Sequence, residues 1–191
     1  MKKKTSLILF FVIIAVIGGA LWSVQHHTTN QEKATKDKSV VFEQVKANGS
    51  VGLEPGNEVP DFALPSLQGK QVKRSSLKGK RVILNFWATW CPPCQKEMPD
   101  MEKMYKKHKA SSLEVIGINL RHTEKSTENV SRFIGKNNVT FPILLDEEGK
   151  VSKQFAAVSL PTSYLIDEEG IIQKKVIGPL SLEEMNSFAK Y

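Results

Sequence analysis

The sequence predicts an α/β domain: a central mixed β-sheet covered on both faces by helices, with a β-hairpin ahead of it. Three observations carry that prediction. Short runs rich in β-branched and apolar residues recur at Arg81–Trp87, Leu113–Leu120 and Thr162–Ile166, alternating with stretches of helical periodicity. The chain closes on two strand-like runs joined by Asp167-Glu168-Glu169-Gly170, followed by a capped helical segment. The composition, 40% hydrophobic and 25% charged over 191 residues, is that of a globular protein with room for one ordinary domain and a tail.

After Pro55, Asp61–Leu64 and Gln71–Lys73 flank a turn at Gln68-Gly69-Lys70, the pattern of a β-hairpin. Arg81–Trp87 continues as Val-Ile-Leu-Asn-Phe-Trp, a strand buried on both faces. Cys94, Met98, Met101 and Tyr105 then fall on one face of a helix. Pro99 lies inside that pattern, removes one backbone donor and is expected to kink the helix. A strand at Leu113–Leu120, a helix at Ser126–Asn137, a short strand at Phe141–Leu145 and a short helix at Val151–Ala156 follow. Thr162–Ile166 and Ile171–Ile177 form the closing hairpin, and Ser181 with Glu184 makes a capping box for the last helix. Asp-Glu-Glu-Gly occurs at 146–149 and again at 167–170, but nothing around the copies repeats. Turn chemistry explains both, because acids favour turn starts and Gly accepts positive φ.

The domain is preceded by a different kind of chain. Lys2, Lys3 and Lys4 stand before an apolar run from Leu7 to Trp22, long enough for a helix to cross a hydrocarbon layer of about 30 Å. A cleaved signal peptide would have a shorter apolar core and a better cleavage site than Gly18–Ser23 offers. Residues 1–24 are therefore read as an uncleaved membrane anchor with its basic end cytoplasmic, and the rest of the chain as extracytoplasmic. Residues 25–53 have the polar composition of a flexible tether, and 54–191 form the domain. His26 and His27 lack further ligands nearby and are read as solvated. The net charge of +7 is divided: residues 1–53 hold seven Lys against three acids, and 54–191 twenty Lys or Arg against seventeen. What remains on the domain is dispersed, which excludes nucleic acid as a partner.

The chemistry is concentrated in Trp90-Cys91-Pro92-Pro93-Cys94, between a buried strand and a helix. These are the only two cysteines, so they are a working pair and not a structural framework. Cys91 falls at the helix N-cap, where unpaired N–H groups and the helix dipole favour a thiolate. Residues three apart in a helical turn have Cα atoms roughly 5 to 6 Å apart, within disulfide range. A zinc site would need two more ligands; His108 and His122 are isolated, and no metal or cofactor is expected.

Trp87-Ala88-Thr89-Trp90-Cys91-Pro92-Pro93-Cys94, Pro99, and Leu160-Pro161-Thr162 before a terminal hairpin resemble the thioredoxin superfamily, over about residues 54–191. Within it the chain is similar to the anchored TlpA/ResA/StoA group, which reduces disulfides outside the cytoplasm. The resemblance implies a thioredoxin fold, with Cys91 as attacking nucleophile, Cys94 as resolving thiol and Pro161 as a cis proline facing the pair. It implies that Trp90, Pro92, Leu160 and Pro161 contact substrate. Cytoplasmic thioredoxins carry a buried Asp where this chain has Asn85, which exchanges no proton. Glu97, three residues past Cys94, matches the acid that ResA-like proteins place near the pair, suited to take the Cys94 proton. Implied partners are disulfide-containing exported proteins, such as apocytochromes awaiting haem or spore and envelope assembly factors. A CcdA/DsbD-like electron donor in the membrane is also implied, and the expected working unit is a monomer. Pro92 and Pro93 both lack an N–H, which leaves the thiolate fewer donors and favours a reducing couple.

Two rival readings stand beside this one. Val59-Pro60-Asp61-Phe62 to Lys78-Gly79-Lys80 also resembles the peroxiredoxin relatives of the fold, but those place a Thr where this chain has Ala88. A copper- or haem-delivery protein using the two thiols would want a positioned His, which is not evident.

Overall fold

The computed structural model describes residues 42–108, 111 and 113–190. The predicted anchor at 1–24, His26 and His27, and the first part of the predicted tether lie outside the described residues. Among the described residues, no helix is long and apolar enough to cross a membrane.

The strands are β1 (Ala63–Pro65), β2 (Gln71–Lys73), β3 (Arg81–Trp87), β4 (Leu113–Asn119), β5 (Ile143–Leu145), β6 (Thr162–Ile166) and β7 (Ile172–Ile177). The helices are α1 (Pro92–His108), α2 (Thr127–Lys136), α3 (Lys150–Gln154) and α4 (Leu182–Lys190). β1 and β2 pair as the expected hairpin, and the remaining strands form one sheet in the order β5-β4-β3-β6-β7. β3, β4 and β5 run parallel, whereas β6 is antiparallel to β3 and to β7. This is the predicted central mixed sheet. The capping box also forms: Ser181 Oγ accepts from Glu184 N at 3.2 Å, and Glu184 Oε2 accepts from Ser181 N at 3.1 Å.

Strand alternation divides the core between the two faces of the sheet. Val82, Leu84 and Phe86 of β3 pack with Ile116, Ile118, Phe155 and Tyr164 on one side. Ile83 and Trp87 face the other side, where Met98, Met101 and Met104 of α1 and Met185 and Phe188 of α4 cover them. Asn85 sits between Ile83 and Trp87 in the strand, so the same alternation turns its amide toward α1. α1 continues through Pro99, whose missing N–H falls on an exposed position.

The domain boundary drawn from composition at residue 54 falls inside the folded unit, which the structure extends back to Phe42. The Phe42 ring packs on Phe188 with centroids 5.2 Å apart. Gln173 accepts from Val45 N at 2.8 Å and donates to Val45 O at 3.0 Å, completing the backbone of that segment as a neighbouring strand would. Its Nε2 also donates to Asp167 Oδ2 at 2.6 Å. Polar composition concealed this attachment because the segment is held largely by hydrogen bonds, with Phe42 and Leu53 as its apolar contacts. Gln173→Leu should therefore lower the unfolding free energy by about 2 kcal/mol in urea denaturation, since it strands the part-buried N–H and C=O of Val45 and one buried oxygen of Asp167. A change smaller than about 0.5 kcal/mol would show that this attachment adds nothing.

Candidate active site

The sheet ends and the chemistry begins at one junction. β3 finishes at Trp87, and after the Ala88–Trp90 loop the chain enters α1 at Pro92. Pro92 suits that first helical position, where its missing N–H would have no partner within the helix. Cys91 is then the N-cap: Gln95 N donates to Cys91 O at 3.1 Å, and Cys94 N donates to Cys91 Sγ at 3.3 Å. The sulfur occupies the place a capping oxygen would take, at the positive end of the helix. Cys91 and Cys94 are disulfide-bonded, with Cα atoms 5.3 Å apart. Both are buried, at 3% and 0% exposure.

Glu97 lies one turn beyond Cys94 on the same side of α1 and is only 4% exposed. Its carboxylate ties α1 to two distant segments. Oε1 accepts from Asn85 Nδ2 of β3 at 2.8 Å, and Oε2 accepts from Leu180 N, ahead of α4, at 2.9 Å. Asn85 Nδ2 also donates to Ser163 Oγ of β6 at 3.0 Å, which fixes the amide with its nitrogen toward the acid. Burial is the dominant influence and pushes the Glu97 pKa up to about 7, against the opposing pull of the Leu180 and Asn85 hydrogen bonds. A carboxyl that titrates near neutrality is suited to exchange a proton with a neighbouring thiol.

The remaining predicted site residues are placed as follows. Trp90 is 55% exposed, and its Nε1 donates to Thr123 Oγ1 at 3.1 Å. Pro92 is exposed on the first turn of α1. The Leu160–Pro161 peptide is cis. Pro161 is buried immediately before β6, and the pairing of Thr162 with Phe86 sets it level with the end of β3 from which the chain runs to Cys91. Leu160 is half-buried and packs against the clusters on both faces of the sheet. Sequence reasoning singled out Asn85 only for what it cannot do; its donor role toward Glu97 follows from the β3 alternation. Ser163, Leu180 and the Glu124 network around Thr89 carried no sequence signal, because they reach the site from remote segments.

The sheet order, the helix that starts at Cys91 and the cis proline opening β6 define a thiol-disulfide oxidoreductase of thioredoxin fold. The chain belongs to the AhpC/TSA family, whose model matches residues 55–175. It is 42% identical over 142 residues to the thioredoxin-like protein YneN of Bacillus subtilis, covering 74% of this chain and 82% of that one. It is 32% identical over 190 residues to the thiol-disulfide oxidoreductase ResA of Bacillus thuringiensis, covering 98% and 97%. The crystal structure of StoA from Bacillus subtilis superimposes with a TM-score of 0.61 at 36% identity, covering 69% of this chain and 98% of that one.

The raised pKa of Glu97 has a consequence for stability. A carboxyl that binds its proton more tightly when folded stabilises the fold fully below its unfolded pKa of 4.5, and that contribution is lost as pH rises through about 7. The loss amounts to about 3 kcal/mol. Glu97→Gln removes the titrating group at nearly unchanged volume and keeps one side-chain oxygen to accept from Asn85 Nδ2 or Leu180 N. Between pH 4 and pH 8, the stability difference in urea should shift toward the variant by about 3 kcal/mol. Parallel pH profiles for parent and variant would contradict a neutral, buried Glu97.

Proposed function

We propose that this protein is an anchored, extracytoplasmic enzyme that reduces disulfides in exported client proteins by dithiol–disulfide exchange. The observation that carries the chemistry is the pairing of an N-cap cysteine with a buried cysteine one turn from a carboxyl titrating near neutrality. The catalytic roles fall to Cys91, Cys94 and Glu97, and Trp90, Pro92, Leu160 and Pro161 form the surface that meets the client.

The reaction starts from the reduced pair. The Cys91 thiolate attacks one sulfur of the client disulfide, forming a mixed disulfide and releasing the first client thiolate. The Cys94 thiol, buried and poorly disposed to ionise alone, passes its proton to the Glu97 carboxylate. The resulting thiolate attacks Cys91 Sγ, which releases the second client thiolate and closes the Cys91–Cys94 disulfide seen here. Two electrons have passed to the client, and a membrane-bound thiol donor of CcdA/DsbD type returns the pair to the dithiol. The reducing direction is supported by Pro92 and Pro93, which supply no backbone donor to the thiolate, and by the similarity to ResA and StoA. Ala88, fully buried and without a hydroxyl, stands where peroxide-binding relatives of the fold use Thr, which disfavours a peroxidase. The extracytoplasmic setting rests on the basic and apolar N-terminal run; membrane partitioning of the intact chain tests it, and a soluble product beginning after about residue 23 as the sole form would overturn it.

The division of labour between the sulfurs is testable by trapping. Cys94→Ser keeps the first attack and removes the second, so client adducts should accumulate on non-reducing gels, whereas Cys91→Ser should yield few. Equal trapping by both variants would overturn the assignment. Glu97→Gln should leave the first attack intact and slow client release by about tenfold near neutral pH, as loss of general-base assistance does. Release at the parent rate would leave Glu97 without a catalytic role.

A further inference from the structure

The loop that leads into the nucleophile is held from outside the site by a second buried acid. Glu124 follows β4 and is 9% exposed. Its Oε1 accepts from Thr89 N at 2.6 Å and from Asn119 Nδ2 at 3.0 Å, and its Oε2 accepts from Thr89 Oγ1 at 2.5 Å. Thr89 O accepts from Gln95 Nε2 of α1 at 2.6 Å. The N–H, the carbonyl and the hydroxyl of Thr89, the middle residue of Ala88–Trp90, are therefore all tied. The acid itself stands on a fixed base. Glu124 N donates to Arg121 O at 3.0 Å, Arg121 Nη1 donates to Glu124 O at 3.3 Å, and Arg121 Nε donates to Thr127 Oγ1 at 2.6 Å. The neighbouring Thr123 accepts the indole N–H of Trp90 and donates to Leu120 O at 2.8 Å. One short segment after β4 thus sets both the loop and the exposed ring beside the redox pair.

We propose that Glu124 is a positioning residue that holds Ala88–Trp90 in the shape that receives the client, so that the loop does not have to be ordered when the client docks. This rests on the client-reducing reading above. A loop ordered in advance spares the binding step an entropic cost. The N-cap bonds at Cys91 do not involve Glu124, so its loss should fall on client binding and not on sulfur chemistry. Carboxylate charge is not needed: a glutamine at 124 still accepts from Thr89 N and Asn119 Nδ2 through its oxygen, and its amide donates to Thr89 Oγ1 after the hydroxyl rotates.

The test compares the full-length parent, Glu124→Ala and Glu124→Gln in the reduction of insulin disulfides. Three quantities are read: KM and kcat, the pH profile of iodoacetamide labelling at reduced Cys91, and amide exchange at Thr89. Glu124→Ala should raise KM about tenfold, leave kcat and the labelling profile near the parent's, and speed Thr89 exchange by tenfold or more. Glu124→Gln should restore all three. If Glu124→Ala does not fold, Thr89→Val removes only the hydroxyl bond and should raise KM about threefold. Parent KM and parent Thr89 protection in a folded Glu124→Ala variant would overturn the proposal. So would failure of Glu124→Gln to restore KM together with a shifted labelling profile, since the charge would then be acting on Cys91. A parent that does not reduce insulin sinks the client-reducing reading instead, and Thr89 exchange still decides whether Glu124 holds the loop.

Discussion

The carboxyl group of Glu97, shut away from water beneath the first turns of α1, is the constraint around which the site is arranged. It is held by β3 through Asn85 and by the segment before α4 through Leu180 N, and β6 orients Asn85 through Ser163. An ionised carboxylate in such a place is costly, and two hydrogen-bond donors offset only part of that cost. The outcome is an acid balanced near neutrality, one helical turn from a buried sulfur. Asn85 matters as a donor here: a carboxyl at that position would bring a second acid to the first and drive its affinity for protons higher still.

The same helix separates the two sulfurs by environment. Cys91 occupies the cap, where the backbone N–H of Cys94 already points at its sulfur and the helix dipole favours negative charge. Cys94, at 0% exposure, lies inside the core beneath the first turn. Three residues of spacing thus place one sulfur at the helix cap and the other in the interior. Trp90 extends this arrangement to the surface, with more than half of its area open to solvent and its indole pinned by Thr123.

Much of this was legible in the sequence for physical reasons that can be named. The hydrophobic period of Arg81–Trp87, the helical spacing from Cys94 to Tyr105 and the Ser181–Glu184 box each encode an element locally, and each formed where expected. The redox pair was legible because its spacing is itself the geometry. The attachment of Phe42–Leu53 was not, since a polar segment secured by the side chain of Gln173, 128 residues away from Val45, leaves no local pattern. The partners of Glu97 and the hold of Glu124 on Thr89 were hidden for the same reason. Hydrogen bonds between remote segments depend on register, and register is a property of the assembled sheet.

A direct titration of the Glu97 side chain bears most closely on the whole arrangement. In the oxidised protein, carboxyl-carbon NMR assigned by difference from Glu97→Gln should show this one group titrating with a midpoint near 7. A Glu97 midpoint below about 5 would mean that the carboxylate is fully charged at neutral pH and that burial does not set the chemistry of Cys94.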